Sequence, residues 1–124
     1  MDQAELKKRT KQFGLRVVKV VDALPNDSVG RAIGNQLVRS GTSVGANYRA
    51  ACPGRSKAEF IAKLGIVNEE ADESGYWMEL IIEGDLLPPD RVERLLDEAN
   101  RITAIMVASG KSAQQSIINE KQRK

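Results

Sequence analysis

Three observations predict an all-α fold, an antiparallel up-down-up-down four-helix bundle. Apolar residues recur every three or four positions in four separate stretches. Each stretch is bounded by residues that start or stop helices. No stretch alternates with the period of two that a half-buried strand needs, and the connections are short. At 124 residues the chain is one domain. It is long enough to bury a core without disulfides or metals. Only Phe13, Tyr48, Phe60, Tyr76 and Trp77 are aromatic, so that core is mainly aliphatic.

The first helix is predicted over about 4–24. Leu6, Thr10, Phe13, Val17, Val20/Val21 and Leu24 form its inward stripe, with Lys7, Lys8, Lys11 and Lys19 off it. Pro25-Asn26-Asp27-Ser28 ends it and supplies N-cap candidates for the next. The second helix is predicted over 28–51, with Val29, Ile33, Leu37, Ser40, Val44, Asn47 and Ala51 inward. Gly30, Gly34, Gly41 and Gly45 weaken it by propensity, so a close approach to a neighbouring helix is expected there.

Cys52-Pro53-Gly54-Arg55 breaks the pattern, and Ser56-x-x-Glu59 reads as a capping box. The third helix is predicted over 57–83. Phe60, Leu64, Val67, Ala71, Ser74, Met78 and Ile81 follow one another at bundle spacing. Beside them runs a row of Ile66, Glu70, Glu73, Trp77 and Leu80, while Glu69, Asp72 and Glu79 project to the solvated side. Gly84-Asp85 stops this helix. The fourth is predicted over 89–109, with Val92, Leu95/Leu96, Ala99, Ile102/Thr103 and Met106 inward. Residues 1–110 thus make the bundle. Residues 111–124 form a polar, basic tail in which Ala113 and Ile117 permit continued helix or fraying alike.

Several chemistries are excluded or disfavoured. There is no histidine, which removes the usual proton shuttle, serine and cysteine triads and most zinc sites. No phosphate-binding loop or dinucleotide fingerprint occurs. Glu70-x-x-Glu73 has the spacing of a carboxylate metal motif, but the histidines that complete a di-metal bundle site are missing. A carboxylate metalloprotein is therefore the least favoured reading. The two glutamates are expected instead to accept charge-assisted hydrogen bonds from Arg39 or Arg49. No cofactor is expected, and the protein is read as non-enzymatic. The single Cys52 leaves no internal disulfide, and no apolar run is long enough to span a bilayer. With a charged and polar start, this gives the expectation of a cytoplasmic protein with no membrane partner.

Charge is unevenly distributed. Residues 1–57 hold eleven Lys and Arg against four Asp and Glu; residues 58–101 hold four against twelve. Two uses follow: unlike faces meeting within or between chains, or a nucleic-acid surface. For the second, Lys7, Lys8, Arg9, Lys11, Arg16, Lys19 and Arg31 are the candidate phosphate contacts. Tyr76 and Trp77 are adjacent and so point to different sides. One of them, with Ile66 and Leu80, widens the apolar surface beyond what one bundle buries, and self-association is expected. The alternative to nucleic-acid binding is a structural module whose partner is a protein.

The segments Arg39-Ser40-Gly41-Thr42-Ser43-Val44-Gly45-Ala46-Asn47, Ser56-Lys57-Ala58-Glu59-Phe60-Ile61-Ala62-Lys63-Leu64 and Glu70-Ala71-x-Glu73-Ser74-x-Tyr76-Trp77 resemble the four helix bundle protein family. That family is also called the 23S rRNA intervening-sequence protein family. The likeness covers nearly the whole chain. It implies a four-helix bundle assembled as a ring-shaped homopentamer, some members being encoded within intervening sequences of large-subunit rRNA genes. The accessory protein of diversity-generating retroelements is similar in fold and binds nucleic acid, RNA or DNA, through a basic surface. Arg39, Ser40, Ser43, Asn47, Arg49, Glu70, Glu73, Tyr76 and Trp77 then read as an architectural and assembly motif. The chain departs from the pattern at Ala50, where family members often carry Glu, and at Ser74, often Thr.

Overall fold

A computed structural model describes residues 1–123. The chain forms α1 (Gln3–Asp22), α2 (Ser28–Ala51), α3 (Lys57–Glu83), a short 3₁₀ turn (Pro89–Arg91) and α4 (Glu93–Arg123), with no strand among the described residues. The helices run up, down, up and down. Sequential neighbours pack extensively, whereas α1 and α4 touch far less, so the bundle closes weakly along that edge.

The starts of α1, α2 and α3 each have a side-chain cap that satisfies a backbone N–H with no partner inside the helix. Asp2 accepts from Glu5 N at 2.8 Å, Asp27 from Gly30 N at 2.8 Å, and Ser56 from Glu59 N at 3.1 Å. The capping box at α3 takes a variant form. The Glu59 carboxylate reaches back to Arg55 N, at 3.1 Å, one residue before the cap. That bond and Lys63 hold the Glu59 carboxyl below its ordinary range.

At the end of α3 the left-handed position falls on Asp85, with φ 58°, and not on Gly84. Leu86 N donates to Ile81 O at 2.9 Å and Asp85 N to Ile82 O at 3.2 Å, which is a Schellman closure. Pro88 and Pro89 then lead into the 3₁₀ turn, so regular α-helix begins at Glu93 and not at Pro89 as the spacing predicts.

The core is built from all four helices, with Phe13, Val17, Leu37, Val44, Val67, Met78, Ile81 and Ile102 almost fully buried. In α2 the fully buried side chain near the C-terminus is Tyr48 rather than Asn47. Asn47 is half-buried and turns its Nδ2 to Ser43 O at 2.8 Å. Val29, expected inward, is exposed, and Gly30 and Gly34 take the inward positions. The glycines bring α2 onto α1 as expected. A Cβ on Gly45 would lie 3.2 Å from the Thr10 backbone, and one on Gly41 would lie 2.7 Å from Val17.

The tail is helical to Arg123. Its apolar spacing continues through Ala113 and Ile117, both half-buried. Lys57 on α3 anchors it, donating to Ser116 Oγ at 2.6 Å and pairing with Glu120. Position 124, the last of the expected tail, lies outside the described residues.

Candidate functional site

The residues singled out in the sequence fall into three places. The first is the rim between α2 and α3. Arg39 on α2 reaches Glu70 on α3 at 3.2 Å and also pairs with Glu73. The Trp77 indole Nε1 donates to the same Glu73 carboxylate at 3.0 Å. Arg39, Glu73 and Trp77 thus lock one another across the helix pair. Beneath them the Ser40 and Ser74 hydroxyls lie 2.9 Å apart in full burial, and Ser74 Oγ also sits 2.8 Å from Glu70 O. Ser43 bonds Arg39 O at 2.6 Å. Every polar group here has a partner, so the glutamates are engaged in packing and not presented to a ligand. Arg49, the other expected partner, lies elsewhere.

The second place is the outer face between α1 and α2. Lys7, Lys8, Lys11 and Arg49 border a groove of about 590 Å³ whose floor is Gly14, Leu15, Val18, Thr42, Gly45 and Ala46. The four cations have no carboxylate partner among the described residues. Leu15 and Val18 are 50% and 44% exposed, so the groove is apolar at the bottom and basic at the edge.

The third place is the weak edge between α1 and α4. Arg9 meets Glu98 in a two-pronged pair, Nε to Oε2 at 2.7 Å and a terminal nitrogen to Oε1 at 2.8 Å. That hydrogen bond holds the Glu98 carboxyl below its ordinary range, aided by the nearby charges of Arg16 and Arg101 and opposed by burial. Beside the pair, Arg16, Arg94 and Arg101 surround a polar hollow of about 410 Å³ with Asp97 and Glu98. None of these three arginines is ion-paired among the described residues.

The seven candidate phosphate contacts are therefore not one surface. Lys7, Lys8 and Lys11 edge the α1/α2 groove. Arg9 is committed to Glu98, and Arg16 faces α4. Lys19 is exposed two turns beyond Lys11, and Arg31 bonds Asn26 at 3.2 Å near the start of α2. Arg94 and Arg101 were missed by the sequence reading. Their seven-residue spacing puts them on one side of α4, but only the fold brings that side to Arg16.

No group of three or more metal-ligating side chains gathers among the described residues, and no described helix is long and apolar enough to cross a membrane. Fold and surfaces together define a helical-bundle protein with charged, partly apolar outer faces. The family model for the 23S rRNA-intervening sequence protein matches residues 2–108, and the chain belongs to that family. A crystal structure of a protein of unknown function from the S23 ribosomal protein family of Bacteroides thetaiotaomicron is similar, with 33% identity and a TM-score of 0.77. The likeness covers 82% of this chain and 94% of that one. No curated protein matches.

Proposed function

We propose that the protein is a non-enzymatic, oligomeric helical-bundle protein that binds nucleic acid, RNA foremost, at the α1/α4 edge. The observation that carries this reading is the convergence of Arg16, Arg94 and Arg101, none ion-paired, on one polar hollow. Guanidinium groups suit phosphate oxygens because their fork of donors matches two oxygens at once. Asp97 and Glu98 also line the hollow, but Glu98 is paired with Arg9, so the arginines still outnumber the carboxylates there. The family description, which names 23S rRNA, supports RNA as the first ligand to test. No aromatic platform stands at the hollow, so phosphate and not base is the recognised group.

The test is fluorescence anisotropy with a structured RNA at several salt concentrations. Binding is expected to weaken steeply with salt, because each neutralised phosphate releases counterions. Arg16→Ala/Arg94→Ala/Arg101→Ala is expected to abolish binding at moderate salt. It should also flatten the slope of log affinity against log salt by about 2, at roughly 0.7 per phosphate. No binding at low salt, or a triple variant that binds like the parent, refutes the reading.

The α1/α2 groove favours a second, compatible reading: association with a protein, and first with another copy of this chain. Its apolar floor does not suit phosphate, and exposed apolar surface rimmed by charge is the character of a protein contact.

A further inference from the structure

We infer that the end of the bundle where α4 extends past the start of α1 binds a small neutral amphiphile: an alkyl chain or flat ring with one uncharged hydroxyl or carbonyl. The site is a hollow of about 660 Å³ to which all four helices contribute. That volume is in the range of small-molecule sites, about 300–1,000 Å³. Its walls include the apolar side chains of Leu6, Phe60 and Ile105, and the hydroxyl residues Tyr48, Ser109 and Ser112 lie among them. A mainly apolar lining with a few polar groups is the pattern of a site that holds and orients a small molecule.

The tail makes the hollow. The family model stops at residue 108, and α4 continues from there to Arg123. None of residues 109–123 is fully buried, so the extension adds no side chain to the core. It is tied to the bundle by Lys57, through Ser116 Oγ at 2.6 Å and through Glu120. A helical segment of this length is marginal in water without a packed face. The face it has, with Ser109, Ser112 and Ala113, lines the hollow. A ligand lying there supplies the packing that the chain itself does not.

Shape and charge define the ligand. Ile105 to Ser116, both on the lining, cover about 16 Å of helix, long enough for an extended alkyl chain of about ten carbons. The one charged side chain of the lining is Lys57, whose charge Glu120 balances. Ser116 and Glu120 take two of the ammonium's three donors, which leaves the third for a ligand oxygen. Burial holds the Tyr48 phenol above its ordinary range, so it stays a neutral hydroxyl. A charged head group meets no unbalanced opposite charge here, and taking it from water costs more than taking a hydroxyl. The α1/α2 groove differs, because its basic rim favours an anion.

The experiment is titration of the full chain with N-phenyl-1-naphthylamine, a neutral dye that brightens in apolar surroundings, followed by displacement with ten-carbon competitors. One dye per chain is expected, with 1-decanol displacing it at a concentration about tenfold or more below decanoate or decylammonium. Ser112→Trp fills the hollow from an exposed position and should weaken dye binding about tenfold or more. Gln114→Trp, exposed and outside the hollow, should bind as wild type does, and so should Lys8→Gln/Lys11→Gln at the α1/α2 groove. Circular dichroism checks that each variant keeps its helicity. Amide hydrogen exchange along residues 109–123 should slow when 1-decanol is added. No saturable binding, a Ser112→Trp chain that binds like wild type, or loss of binding through Gln114→Trp or Lys8→Gln/Lys11→Gln overturns the site. Decanoate as the better competitor overturns the ligand class.

Discussion

Gly41→Ala tests the contact on which the α1/α2 pair depends. The added Cβ would lie 2.7 Å from each Val17 γ-carbon and 3.0 Å from its Cβ. Ordinary carbon contacts are about 3.5–4.0 Å, so one of the two helices must move. Val17 cannot turn aside, because it is fully buried and a β-branched side chain in a helix has one strongly preferred rotamer. Overpacking of this kind costs about 1–3 kcal/mol. Helix propensity returns about 1 kcal/mol of it on replacing Gly with Ala. The net expectation is a loss of up to about 2 kcal/mol, or up to roughly 8 °C in Tm for a domain of this size.

Two companions isolate the cause. At Gly110 an added Cβ meets nothing within 4 Å, so Gly110→Ala is expected to gain up to about 1 kcal/mol from propensity alone. Val17→Ala alone should cost about 2 kcal/mol as two buried methyls are lost. Combined with Gly41→Ala it should cost less than the two singles summed, because the obstructing γ-carbons are gone. The measurement is urea unfolding followed by circular dichroism and Trp77 fluorescence, at several protein concentrations so that association is separated from folding. A Gly41→Ala protein that gains as much as Gly110→Ala, or strict additivity with Val17→Ala, refutes the close approach as its explanation.

Two further outcomes follow from the caps and charges. Glu98 has its pKa depressed, first by the hydrogen bond from Arg9. A depressed carboxylate contributes stability above its unfolded pKa, near 4.5, and loses that contribution as pH falls through the lower folded value. Glu98→Gln is therefore expected to cost about 1–2 kcal/mol at neutral pH. Its gap from wild type should narrow in acid, read by urea titrations at pH 7 and pH 3. Asp85→Gly relieves a left-handed residue that already closes α3, and should raise stability by up to about 1 kcal/mol in thermal unfolding.

The fold was legible because each element carried more than one signal. The bounds of α2 and α3 agree with apolar spacing and with their caps: Ser56 as the capping box predicts, and Asp27, one of several candidates the turn before α2 offered. Where one signal stood alone, the reading slipped. Asn47 and Tyr48 are consecutive and straddle the edge of the buried arc, and spacing alone favoured the wrong one. Tyr48 offers the larger area to bury, and that outweighs a position at the edge of the stripe. The tail looked polar because Lys, Gln and Ser fill its outer faces. Its helical extension depends on Lys57, fifty-nine residues earlier in the chain, meeting Ser116. The candidate phosphate contacts suffered most. Charge count marks a region, but whether Arg9 is free depends on Glu98, which only the return of α4 to α1 brings near.

The uneven charge of the sequence allowed two uses, and the topology sets how much of that charge one chain can pair by itself. Unlike charges do meet within the chain where helices are neighbours: Arg9 with Glu98, Arg39 with Glu70 and Glu73, and Lys57 with Glu120. These pairs use few of the basic residues on α1 and few of the acidic ones on α3. Lys8 and Lys11 remain on one side, Glu69 and Asp72 on the other, and none of the four is paired among the described residues. An up-down-up-down order puts α1 and α3 diagonally across the core, so their outer faces point away from each other. No rotamer change within one chain brings those charges together. On the folded chain these four charges face solvent, its ions or a second molecule. Arg16, Arg94 and Arg101 gather at the α1/α4 edge, apart from both of these charged faces, so the phosphate contact proposed there does not compete with whatever meets them.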